Sequence, residues 1–236
     1  MHILIAILFL INHSCFSKEK NPLKIHADQY IVFHIKDQTC RAKGNVLIHQ
    51  DKLSLLSDRV FLRFQEIKKK RSIQFLDATG HVRIHLAHGC ITGGRAFYQS
   101  HHKQMTIQNK VRFDGLGSIF LANDLDLFFA TTPGNDKAES WTLHTVKSPN
   151  DFVFQNKEIQ AKGDCATYTH HNNTVLAKGN VQIIHQKHYI KADRLIADLQ
   201  KKCYRVSGTP VRCLIDTQQY TADHQKNHVS CGKKSL

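Results

Sequence analysis

The residues of this chain able to do chemistry are its histidines, its cysteines and a set of recurring aspartates. There are 17 histidines and seven cysteines in 236 residues. His81, His85 and His88 lie close together, and alternation puts His81 and His85 on one strand face. His101-His102 and His170-His171 fall at turn-like positions. None of these sets converges with a carboxylate or thiol at a ligand spacing, so no metal centre is expected. The cysteines contain no CxxC pair, which removes the common zinc and redox signatures. No nucleophile elbow, P-loop or dinucleotide loop occurs, and Gly93-Gly94 belongs to a repeat, not a phosphate cradle. The expectation is a protein with no catalytic residue, no metal and no cofactor, hence not an enzyme.

The aspartates recur in a pattern. An apolar-x-small-Asp motif stands at Ile25–Asp28, Leu55–Asp58, Leu121–Asp124, Ile190–Asp193 and Tyr220–Asp223, and acid-free copies end at Gly94 and Lys162. Asp28 to Asp58, Gly94 to Asp124, and Asp193 to Asp223 are each 30 residues apart. The longer intervals contain the stretches Glu66–Arg71 and Thr131–Asp151, which are expected to be loops. A second motif, small-x-Gly-x-Val, occurs as AKGNV at Ala42–Val46 and again at Ala177–Val181, with Ala78–Val82 and weaker copies between. The aspartates are expected to sit at bends and accept backbone N–H groups. Five acids over seven anchors do not form a Ca²⁺ cage.

These anchors need elements to hold them. Val46-x-Ile48, Val82-x-Ile84, Val111-x-Phe113, Val181-x-Ile183 and Val211-x-Cys213 alternate with polar residues, the period of a half-buried strand. Polar turn clusters fall about every 15 residues, so each unit of about 30 residues is two antiparallel strands. A glycine inside every second strand predicts a bend at constant height. The sheet would fold along that line into an all-β sandwich or jelly roll. A β-solenoid shares the period, but turns at half the period favour hairpins.

The net charge of +14 points to anionic partners. Ile3 to Ile11 is an apolar run too short to span a bilayer, and Cys15-Phe16-Ser17 offers a cleavage site. Residues 1–17 therefore read as a signal peptide, 18–223 as one β domain and 224–236 as a basic tail. Export would permit disulfides among Cys40, Cys90, Cys165, Cys203, Cys213 and Cys231, in any of 15 pairings. Cys213 is expected to be a buried small hydrophobe. The aromatic content of 8% and the absence of an RNP-like strand argue against nucleic acid.

The stretches IHADQYIVFHIKDQTCRAKGNVLI (Ile25–Ile48) and VLAKGNVQIIHQKHYIKADRL (Val175–Leu195), with the register of the other units, resemble the OstA-like family of periplasmic lipopolysaccharide transport proteins. The resemblance covers nearly all of the chain after residue 17. It implies a V-shaped, twisted, open-ended antiparallel β-jelly roll. It also implies an apolar interior for the acyl chains of lipopolysaccharide and edge strands that pair with similar domains. Those partners would be an inner-membrane LptC-like subunit, an outer-membrane LptD-like domain, or further copies in a head-to-tail oligomer. An LptC-like subunit or a non-lipid periplasmic scaffold are the alternatives.

On that reading the lipid-lining columns are Ile25, Val46, Ile48, Leu55, Val82, Ile84, Ile91, Val111, Phe113, Leu121, Val181, Ile183 and Ile190. Lys68-Lys69-Lys70-Arg71 is the densest basic run and could meet lipid phosphates at the rim.

Overall fold

The computed structural model describes residues 22–50, 53–67, 70–86, 89–115, 117–132, 140–185, 188–201 and 203–214. The expected signal peptide, the basic tail, Cys231, His88, Lys68, Lys69 and the Tyr220–Asp223 motif lie outside them.

Among the described residues sixteen strands form one antiparallel meander. The short β1 (Lys24–His26) and β2 (Tyr30–His34) both pair with β3 (Thr39–Gln50). The long strands β4 (Leu53–Ile67), β5 (Lys70–Leu86), β6 (Gly89–Gln99), β7 (Gln104–Gly115) and β8 (Ser118–Thr132) follow in order. Then β9 (Ser140–Ser148) and β10 (Phe152–Gln155) pair with the two ends of β8. Next, β11 (Ile159–Gly163) and β12 (Cys165–Thr169) pair with the two ends of β13 (Thr174–His185). Finally β14 (His188–Asp198) pairs with both β15 (Cys203–Ser207) and β16 (Arg212–Leu214). Each short pair is thus one interrupted traverse of the sheet.

The long traverses share one line of bends. In β3, β5, β7 and β13 two consecutive residues take positive φ: Gly44-Asn45, Gly80-His81, Asn109-Lys110 and Gly179-Asn180. The ladders shift register at these points, which marks β-bulges. The bulge keeps the inward phase on both sides of the bend. In the bulged strands the inward residues skip four, as in Ala42 to Val46 and Ala177 to Val181, all buried. In the partner strands they skip three, as in Ser57 to Val60 and Ala192 to Leu195. The two halves of each traverse therefore form two layers with a shared apolar interior. Val46 and Leu62, one from each half, are 0% exposed, which a sheet face open to solvent does not permit.

The main core holds Val46, Ile48, Leu55, Val82, Ile84 and Phe113 from the first layer. From the second layer it holds Cys40, Val60, Leu62, Leu76, Ile107 and Leu125. A smaller cluster around Phe152, Phe154, Val181 and Leu195 fills the C-terminal third. Phe120 bridges the two, its ring stacked on Phe152 at 6.0 Å. Full burial of each such side chain contributes about 1.5–3 kcal/mol.

Three expectations change here. The Glu66–Arg71 stretch is not a loop: β4 and β5 continue to an Ile67–Lys70 pair and lengthen the hairpin. The 131–151 stretch contains β9, which pairs with β8 and β12 and completes the second layer. Cys213 is exposed, because it lies on the last strand, with no neighbour beyond it among the described residues.

Candidate functional site

The candidate site is the interior between the layers and the two ends where it opens. Of the expected lining residues, Val46, Ile48, Leu55, Val82, Ile84, Ile91, Val111, Phe113 and Val181 are buried and face inward. Ile25, Ile183 and Ile190 are half-buried near the ends of the array. Ile190 pairs with exposed Cys213, so its inward side borders an open end.

Leu121 is a correction: it is 39% exposed and pairs with Arg112 on the outer face. Ala122, opposite Val111, holds the inward place instead, as Ser57 does opposite Val46. A slip of one residue moves a side chain to the other face. The unit assigned to Ile159–Lys162 is displaced by two residues instead, which leaves Ala161 facing inward. Its acid is Asp164, which sits against the Gly179-Asn180 bulge and accepts both 3.2 Å hydrogen bonds from Asn180 Nδ2.

All the expected lining residues lie in one layer. The second layer's share, which includes Val60, Leu62, Leu76, Ile107 and Leu125, escaped the sequence reading. The signal for it was the skip of three or four residues around each anchor. Alternation carried from Leu55 and Ser57 through the bend puts Val60 and Leu62 on the wrong face, whereas the skip of four leaves Leu76 and Ile107 in phase with Val82 and Val111.

The spine along the bends is polar. Asn45 Nδ2 donates to Asp28 at 2.7 Å, and Asn150 Nδ2 donates to Asp124 at 3.2 Å. His81 Nδ1 lies 2.9 Å from Asp58 Oδ2, and the Thr209 N–H donates to Asp193 at 3.0 Å. The aspartates therefore clamp successive strands at the fold line, through side-chain amides more than through backbone N–H groups. Ser57 Oγ, 1% exposed with its residue, donates to the Arg59 carbonyl at 3.2 Å and so is satisfied.

The interior holds little ionisable chemistry. Burial pushes the Cys40 thiol up, which keeps it protonated and inert. Burial likewise raises the Tyr98 phenol. Among the described residues no group of three His, Cys, Asp or Glu is arranged to hold a metal ion, and no disulfide joins Cys40, Cys90, Cys165, Cys203 and Cys213.

Both ends of the array expose inward-facing apolar side chains. At the first, Ile31 and Phe33 pair with inward Ala42 and Cys40, yet are 46% and 42% exposed. At the other, Tyr204 pairs with inward Ala197 and is 62% exposed.

Bent hairpin repeats laid along one antiparallel meander, with an apolar interior between the halves, define the OstA-like class of β-jelly roll. The chain belongs to the LptA/(LptD N-terminal domain) LPS transport protein family, whose model matches residues 24–132 and 121–203. Sixteen chains of solved structures match. One is LptH, the LptA-homologous periplasmic component of the lipopolysaccharide transport device from Pseudomonas aeruginosa. It is 13% identical with a TM-score of 0.23, and the match covers 83% of this chain and 96% of that one. No curated protein sequence matches the chain.

Proposed function

We propose that this protein carries lipopolysaccharide across the periplasm, with the lipid A acyl chains held between the two layers. The observation that carries this reading is the interior itself, apolar on both layers and ending in inward-facing but exposed Ile31, Phe33 and Tyr204. Each CH₂ buried there contributes about 0.8 kcal/mol, enough to retain a multi-acyl lipid without specific chemistry. The site residues are the inward columns, now taken from both layers. Entry requires the layers to part or the lipid to pass along the axis through an end.

The ends also suggest how the protein would bridge two membranes. Among the described residues the β1–β2 and β15–β16 traverses stand at the sheet edges. An exposed edge accepts another strand by main-chain hydrogen bonds. An LptC-like domain on the inner-membrane side, an LptD-like domain on the outer-membrane side, or a second copy could each extend the sheet there. Export by the N-terminal segment would place the chain in that compartment.

Native mass spectrometry of the chain from Lys18 onward, incubated with lipopolysaccharide, tests the carrier reading. A stoichiometric adduct is expected, and Ile183→Asp should remove it while the far-ultraviolet dichroism stays that of a β protein. A folded wild-type chain that takes up no lipid would overturn the proposal.

A further inference from the structure

The outer face of the first layer carries an amphipathic patch at its C-terminal end. Four adjacent strands, β11, β13, β14 and β16, contribute to it. One register row runs Lys162, Gln182, Lys191, Arg212. The next outward row, closer to the hairpin tips, runs Gln160, Ile184, Tyr189, Leu214. Lys162, Lys191 and Arg212 are exposed, and neither row contains an acid. Ile184 is 42% exposed and Leu214 63% exposed, although both belong to strands whose inner face is what the fold buries.

The two rows differ in depth as well as in chemistry. Outward neighbours on a strand are two residues apart, about 7 Å. Leu214 thus projects about 7 Å nearer the rim than Arg212, and Tyr189 likewise than Lys191. A bilayer surface has that layering: an apolar boundary about 5–10 Å below a plane of anionic phosphates. Lysine and arginine stems lie along apolar surface while their charges stay at headgroup level. A nucleic acid or a soluble acidic protein would meet the basic row but would give Ile184 and Leu214 nothing to enter.

The outer face of the second layer provides the contrast. Its cations are interleaved with acids and rings: Arg95 makes a bidentate pair with Asp77, and Arg41 lies over the Phe61 ring at 5.7 Å.

We propose that this patch docks the C-terminal end of the molecule on an anionic phospholipid bilayer surface. The three cations engage lipid phosphates, and Ile184, Tyr189 and Leu214 enter the interface. This is independent of what the interior carries, since it uses only outward-facing side chains.

The test is co-sedimentation of the full chain with phosphatidylethanolamine–phosphatidylglycerol vesicles at low ionic strength, with phosphatidylcholine vesicles as the neutral control and no lipopolysaccharide present. Replacing Lys162, Lys191 and Arg212 together by Gln should lower the partition coefficient at least about tenfold. The same charge loss on the opposite face, Arg41, Arg59 and Arg63 to Gln, should change it less than about twofold. Ile184→Ser with Leu214→Ser should weaken binding with all charges retained. A Tyr189→Trp chain, still binding, should have its indole fluorescence at that position quenched by lipids brominated in the acyl chains. Equal losses from the two charge triples would reduce the effect to net charge and overturn the proposal. So would binding that ignores the apolar pair, an introduced indole untouched by brominated lipid, or retention on heparin with none on vesicles.

Discussion

Asn180 donates its side-chain amide to both carboxylate oxygens of Asp164, at 3.2 Å each, across a bulge where Gly179 and Asn180 take φ values of +70° and +47°. The contact ties β13 to the junction of β11 and β12 at the line where the sheet folds. It also explains why the glycine of AKGNV is a glycine. A Cβ at Gly179 would collide with the Asp164 side chain, and its φ lies in the left-handed region. Gly179→Ala should therefore lose about 1–3 kcal/mol, read as a lower denaturant midpoint. Asp164→Ala should lose about 1 kcal/mol at most, since the pair is solvent-exposed. A Gly179→Ala protein as stable as the parent would show that the bulge is not a constraint.

Two leucines measure which face is the interior. Leu62 is 0% exposed in the core of the second layer, whereas Leu121 is 39% exposed on the outside. Leu62→Ala should cost about 2–5 kcal/mol by removing buried surface and leaving a cavity. Leu121→Ser should fall within about 0.5 kcal/mol of wild type. Equilibrium urea unfolding of the two variants checks the pair, and equal losses would contradict the layer assignment.

Cysteine reactivity reports on the edge. Cys203 and Cys213 are exposed on the last traverse, and Cys40 is buried with its thiol raised by desolvation. In dilute native protein a maleimide should label Cys203 and Cys213 promptly and Cys40 only after unfolding. If copies or partner domains add strands at this edge, labelling of Cys203 and Cys213 should slow as protein concentration rises. Rates independent of concentration, in a sample shown to be associated, would place the contact elsewhere.

Tyr168 should set part of the alkaline limit. Its Oη donates to Asn173 Oδ1 at 3.1 Å and lies 3.2 Å from His170 Nδ1, and desolvation raises the phenol to about 12 from an ordinary 10.0. The folded state thus keeps the proton longer than the unfolded one. This contribution to stability is complete below pH 10 and is lost as the pH climbs toward 12. Unfolding midpoints measured across that window should fall less steeply in Tyr168→Phe, and an unchanged slope would refute the assignment.

Much of this molecule is legible in its sequence. The strand type follows from alternation, the antiparallel order from turns at half the repeat, and the bend from a glycine at constant register. These are local properties, set by which backbone conformations a residue allows and by the two-residue period of a strand. The resemblance to the family is read from the same residues, and the family model matches the stretch that holds them.

Tertiary structure decided the phase. Whether Leu121 or Ala122 faces inward depends on which residue of the neighbouring strand stands opposite, and so does the two-residue displacement that makes Asp164, not Lys162, close the fold line. That partner is chosen by the whole ladder, and one residue of slip reverses every face. Part of the second layer was hidden for the same reason, since the strand opposite each bulge skips three residues and so reverses simple alternation, as between Ser57 and Val60. The fate of Cys213 was likewise settled by position: it stands in an inward column, but on the last strand, where no described residue lies beyond to cover it.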